Sequence, residues 1–142
     1  MDTLFYISIE QDGDDYVVAV RNVPQIVTSG YTYAEAQELA KNALVCLIQS
    51  YMKRGLPLPV AGDAEQGDIA INLPAPLAAK MVIYSAWLDA KISKTELAKR
   101  MGRSETEIRR LLDPKYGTKI DQLAEAAKAL GGLLTVQFHS AA

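Results

Sequence analysis

Residues 93–112 constrain this chain more than any other stretch. Ser93-Lys94-Thr95-Glu96-Leu97-Ala98-Lys99-Arg100-Met101-Gly102 runs directly into Arg103-Ser104-Glu105-Thr106-Glu107-Ile108-Arg109-Arg110-Leu111-Leu112. Ser93 with Glu96 and Ser104 with Glu107 form two Ser-x-x-Glu capping boxes, which mark two helix starts eleven residues apart. Leu97, Ala98 and Met101 give the first helix an apolar face, and Ile108, Leu111 and Leu112 give the second one at helical spacing. Gly102 stands where the chain must reverse, since glycine reaches left-handed backbone angles without a steric penalty. Pro114 discourages continuation of the second helix. The spacing is that of a helix-turn-helix, a device for laying a helix in the DNA major groove.

Charge is distributed unevenly around this motif. Residues 1–76 carry four basic and ten acidic side chains, a net of −6, whereas residues 77–142 carry eleven basic and seven acidic, a net of +4. A basic half that contains a helix-turn-helix fits a polyanion, and an acidic half suits a basic protein partner. Cys46 is the one cysteine, so no internal disulfide is possible, and a reducing cytoplasm is the expected compartment. His139 is the one histidine, which argues against a histidine-rich metal site or a histidine-based triad. No apolar run approaches the roughly 20 residues of a membrane span, and the start lacks the pattern of a signal peptide.

The first half reads as strands and one helix. Residues 3–10 and 16–22 are rich in β-branched and aromatic residues, and Gln11-Asp12-Gly13-Asp14-Asp15 between them is a hairpin turn cluster. Asn22-Val23-Pro24 closes the second strand, and Ile26-Val27-Thr28 makes a short third, ended by Ser29-Gly30. Thr32 caps a long helix whose apolar stripe is Ala36, Leu39, Ala40, Ala43, Leu44, Leu47, Ile48 and Tyr51. Gly55 ends it, and residues 69–73 alternate as a fourth strand. The order β-β-β-α-β is an α+β unit over residues 1–73, with Pro74-Ala75-Pro76 as a linker and residues 77–142 as a second domain. Residues 77–91 open that domain as a helix with Met81, Tyr84, Trp87 and Leu88 as core contacts, Tyr84 and Trp87 alternatively lying in a subunit interface. Thr118 caps a last helix with Ile120, Leu123, Ala124, Ala127 and Leu130 inward, and Gly131 ends it. Residues 133–138 have the composition of a strand, with little sequence left to pair with, so pairing with a second copy to form a dimer is expected.

With these pieces in order, the chain resembles the HicB antitoxins of bacterial HicA–HicB toxin–antitoxin pairs, in their helix-turn-helix subgroup. The resemblance runs through Tyr6-Ile7-Ser8-Ile9, Asp15-Tyr16-Val17-Val18-Ala19-Val20, and Val23-Pro24-Gln25-Ile26-Val27-Thr28-Ser29-Gly30. It continues through Thr32-Tyr33-Ala34-Glu35-Ala36, Ala40-Lys41-Asn42-Ala43-Leu44 and Leu56-Pro57-Leu58-Pro59. In the second half it rests on Glu96-Leu97-Ala98-Lys99-Arg100-Met101-Gly102, Gly117-Thr118-Lys119-Ile120-Asp121 and Ala126-Ala127-Lys128-Ala129-Leu130-Gly131. It implies a partial ribonuclease-H-like fold for the first domain, without a working catalytic centre. It also implies two roles: blocking a small basic HicA-like RNA-cleaving toxin, and binding the operator of the protein's own operon.

Individual residues can be assigned to these roles. Arg103, Ser104 and Glu105 lie at the start of the second helix, the end that usually reaches base edges; Thr106, Arg109 and Arg110 fall on the side opposite its apolar face, and Arg109 or Arg110 can pair with guanine or hold phosphate. Lys94 and Thr95 suit a phosphate at a helix N-terminus, and Lys115 and Lys119 suit nonspecific backbone contacts. Against this stands the plainer reading of a solvated, charged face. Glu105 and Glu107 oppose phosphate; Glu107 is explained as a capping-box partner, and Glu105 either accepts from a cytosine amino group or answers helix-start electrostatics. Asp12, Asp14 and Asp15 begin like a calcium loop but lack its distal glutamate, so they read as a polar turn. Asp63, Glu65 and Asp68 form a second acidic loop. Asp12, Asp14, Asp15, Asp63 and Asp68 are candidates for meeting a basic toxin. No catalytic residue, metal site or cofactor is expected. The reading is an antitoxin and autorepressor, dimeric or higher in order, that binds double-stranded operator DNA and no membrane. The alternative is a one-component repressor whose first domain senses a small ligand in an apolar pocket.

Overall fold

Alternation in the first thirty residues becomes an antiparallel sheet in the computed structural model, which describes residues 1–140. The strands are β1 (Phe5–Asp12), β2 (Asp15–Val20), β3 (Val23–Gly30) and β4 (Ile69–Ile71), in the order β3-β2-β1-β4. Gly13 takes a positive φ of 62° as the first of the two turn residues, Gly13-Asp14, between the opposed Asp12 and Asp15, a conformation that favours glycine. β3 is longer than the sequence implies. Val23 and Pro24 open it rather than close β2, because Asn22 turns the chain at φ 65° and Pro24 sits on an edge strand, where a missing N–H is tolerated.

Helix α1 (Tyr33–Lys53) packs against β1, β2 and β3. Thr32 caps it as expected, its hydroxyl accepting from the Glu35 N–H at 3.1 Å. Ala36, Ala40, Leu44, Ile48 and Met52 are its buried stripe, so the true seam is narrower than the eight-residue face expected, and Leu39 is exposed. Phe5, Ile7, Val18, Val20, Val23 and Ile71 complete this core, where full burial of a Leu or Ile contributes about 1.5–3 kcal/mol. Small residues let helix and strand approach: a Cβ on Gly30 would lie 2.7 Å from the Ala36 amide nitrogen. Gly30→Ala is therefore expected to lower the unfolding free energy by about 1–3 kcal/mol, through displacement of the first turn of α1. Urea unfolding measures this, and an unchanged midpoint would refute the close contact.

The second half is helical: α2 (Ala75–Ala90), α3 (Lys94–Met101), α4 (Glu105–Leu112) and α5 (Ile120–Ala129). Ala75 and Pro76, read from sequence as linker, form the first turn of α2, where proline's fixed φ fits and its missing N–H costs nothing. Tyr84 is core. Its hydroxyl donates to the Leu56 carbonyl at 2.8 Å and ties α2 to the segment after α1. Trp87 is half-buried, its ring 5.9 Å from that of Tyr84. α5 starts after Lys119, without a side-chain cap, so Thr118 does not cap it, and Ile120 faces solvent at 52% exposure. Gly131 ends α5 at φ 85°, with Gly132 donating to the Ala127 carbonyl as a Schellman closure requires.

Residues 133–138 are not a strand. They run without regular structure and leave Leu133, Val136 and Phe138 more than 80% exposed. A strand needs a neighbour for its backbone groups, and their composition cannot supply one. Among the described residues no helix is long and apolar enough to cross a membrane.

Candidate nucleic-acid interface

Both helix starts of the α3–α4 pair form as their sequences dictate. Ser93 Oγ accepts from the Glu96 N–H at 3.0 Å, and Ser104 Oγ accepts from the Glu107 N–H at 3.2 Å. The glutamates do not complete the boxes; Glu96 pairs with Arg100 and Glu107 with Arg103. Gly102 ends α3 in the left-handed region at φ 64°, and Arg103 N–H closes the turn on the Ala98 carbonyl. Leu97, Ala98, Ile108, Leu111 and Leu112 point inward, together with Leu123, Ala126 and Ala127 of α5. Their burial leaves the opposite, basic face of α4 in solvent.

Lys80 fixes the end of α4. It is 3% exposed, and its Nζ donates to the Arg110 and Asp113 carbonyls, both at 2.8 Å. These oxygens belong to the last turn of the helix and the residue after it; each already accepts one backbone bond at 3.2 Å, from the Asp113 and Tyr116 N–H, and the ammonium takes a further lone pair at the helix end, where a cation is favoured. Burial pushes the Lys80 amine down to about 8, partly opposed by the Asp113 carboxylate. Sequence periodicity placed Lys80 on an ordinary helix and missed this role.

The proposed contact residues divide into two groups. Thr95, Ser104, Thr106, Arg109, Arg110, Lys115 and Lys119 are exposed, and Lys94 is half-buried. Arg109 Nη2 donates to Thr106 Oγ1 at 3.3 Å, and the Arg110 guanidinium lies 5.3 Å from the centre of the Tyr116 ring. Lys94 Nζ sits 5.8 Å from the centre of the Trp87 ring. Arg103 belongs to the other group. Its guanidinium donates to Glu125 at 2.8 and 3.2 Å and also pairs with Glu107, so it braces α5 against the α3–α4 turn. The Glu125 hydrogen bond is the main reason its pKa lies above the ordinary value.

The acidic candidates also separate. Asp12, Asp14 and Asp15 crowd the exposed β1–β2 turn, and Asp63 is exposed. Asp68 is sequestered: Arg21 donates to it at 2.7 and 3.0 Å, and its side chain is 1% exposed. The Arg21 hydrogen bond, then the Glu65 N–H, holds its carboxyl below the usual range. Arg21 also pairs with Glu65. These contacts pin the loop before β4 to the β2–β3 turn and leave Asp68 no free oxygen face for a partner. Among the described residues no three His, Cys, Asp or Glu side chains converge as metal ligands.

Comparison with known proteins adds an independent line. The family model for the HicB-like antitoxin of bacterial toxin–antitoxin systems matches residues 5–82. Antitoxin HicB of Escherichia coli (strain K12) is 36% identical over 85% of this chain and 88% of its own length. Antitoxin HicB 1 of Photorhabdus laumondii is 34% identical over 92% of this chain and 82% of its own, and Antitoxin HicB of Pseudomonas fluorescens is 27% identical over 96% and 94%.

Proposed function

Because this chain belongs to the HicB-like antitoxin family of bacterial toxin–antitoxin systems, we propose that it neutralises a HicA-type mRNA-cleaving toxin and represses its own operon. In this reading the sheet-bearing half, residues 1–73, is a partial ribonuclease-H-like domain that binds the toxin stoichiometrically. Residues 77–142 are the helix-turn-helix domain, with α4 in the major groove of operator DNA. The observation that carries the DNA half is the face of α4 opposite Ile108 and Leu111, where Arg109 and Arg110 stand exposed and without a carboxylate partner among the described residues. Lys94, Thr95, Ser104, Thr106, Lys115 and Lys119 extend that face; Arg103 does not, being held by Glu125.

The toxin half rests on the family and on the exposed acidic turn of Asp12, Asp14 and Asp15, with Asp63 exposed on the separate loop before β4. We also place residues 133–138 in contact with a second copy, since Val136 and Phe138 alternate with polar neighbours and stand bare. One experiment reads both partners. Mixed with the small basic protein encoded beside its gene, the chain is expected to form a stoichiometric complex whose solution mass contains an even number of antitoxin copies. No complex at micromolar concentration overturns the toxin assignment, and a single antitoxin copy overturns the dimer.

A further inference from the structure

We propose that a cleft between α1 and α4 seats a backbone phosphate of duplex DNA, so that Lys53 of the sheet-bearing half belongs to the DNA interface. The cleft encloses about 270 Å³ and is lined by Gln49 and Lys53 from α1, Lys94 from the start of α3, Arg109 from α4, and Asp113 and Lys115 beyond it. Four cations therefore face one carboxylate, and that carboxylate is engaged: Asp113 Oδ1 accepts from the Lys115 N–H at 2.9 Å.

The four cations have no ion-pair partner among the described residues, whereas Arg100 has one and Arg21 and Arg103 have two each. Cations gathered around one cleft repel one another, and an anion seated among them removes that repulsion. Two of the four are already oriented, Lys94 over Trp87 and Arg109 by Thr106. Gln49 and Lys53 lie one helical turn apart on α1 and so share a face, which supplies an amide donor beside the ammonium. The cleft contains Arg109 of the helix proposed to enter the groove, which makes a duplex phosphate the fitting occupant rather than a free ion. This inference rests on the DNA-binding reading above.

The test is the salt dependence of binding. The full chain is titrated with a duplex of roughly 30 base pairs of arbitrary sequence between about 50 and 200 mM salt. Lys53→Gln is expected to weaken low-salt binding about three- to tenfold and to reduce the slope of log affinity against log salt by about 1, one phosphate's worth. Lys53→Arg should keep the slope, and Lys41→Gln, elsewhere on α1, should match the parent. A parent-like slope in Lys53→Gln overturns the inference while leaving the α3–α4 reading intact. If the parent binds neither this duplex nor its own upstream DNA, both fall together. If Lys53→Gln instead loses affinity for the toxin, or only for inorganic phosphate, the cleft serves another occupant and the inference is overturned.

Discussion

Replacing Arg109 and Arg110 together by alanine is expected to weaken binding to the operon's own upstream DNA by about 100-fold or more, with toxin binding unchanged. Each arginine that pairs bidentately with a guanine contributes about 1–3 kcal/mol, and each phosphate contact adds a salt-dependent increment. Neither guanidinium is needed to hold the helix. Arg109 makes one long bond to Thr106 on its own helix, and Arg110 lies over the exposed Tyr116 ring. The core of the pair is carried by Leu97, Ile108, Leu111 and Leu112, none of which the substitutions touch. Circular dichroism of the variant should therefore match the parent. Electrophoretic mobility shift across a salt series measures the loss. Equal loss of toxin and DNA binding would count against separate sites, and parent-like DNA affinity would remove α4 from the groove. The same measurement with Arg103→Ala should behave differently. That variant is expected to lose stability first, because its partner is Glu125 of α5 rather than solvent.

The contrast between these arginines marks what the sequence could disclose. Local signals were legible because they act over a few residues: both serine caps, the Gly102 turn, the Asp-Gly hairpin and the buried stripes of α3 and α4. What depends on segments distant in the chain was not. Arg103 sits at a helix start by spacing, but Glu125, on the next helix, claims it. Asp68 looked like an exposed acid in a polar loop, yet Arg21, 47 residues earlier, takes both its oxygens. Nothing in the sequence separates Lys53 from an ordinary surface lysine of the acidic half. Only the docking of α2 against the end of α1, through Tyr84 and Leu56, brings it beside Lys94 and Arg109. Residues 133–138 fail for the opposite reason. Their composition is that of a strand, but no edge within the described chain receives them. Pro24 was read as a stop because proline breaks a central strand, and the sequence does not say that β3 lies at an edge.

Lys80→Ala is expected to lower the unfolding free energy by about 2–4 kcal/mol near neutral pH. The substitution removes a buried aliphatic stem and two hydrogen bonds to the end of α4, the helix on which the DNA reading depends. Lys80→Met keeps most of the stem and separates packing from charge. The ammonium is the costly part: burial lowers its pKa from the ordinary 10.5 to about 8. Below pH 8 the amine is protonated both folded and unfolded, so the full cost of burying the charge is present. Between about 8 and 10.5 the folded chain has released the proton while the unfolded chain still holds it. The unfolded state then binds more protons, so stability from this group rises with pH. After allowance for solvent screening at the helix end, the gain is on the order of 1–2 kcal/mol. The useful window stops below about pH 10, because burial also raises the Tyr84 pKa, and unfolded tyrosine ionises first above that point. Urea unfolding from about pH 7.5 to 9.5 should thus show the parent gaining stability relative to Lys80→Met. Parallel profiles would mean that the amine is solvated, and that the end of α4 is held by packing rather than by the two bonds.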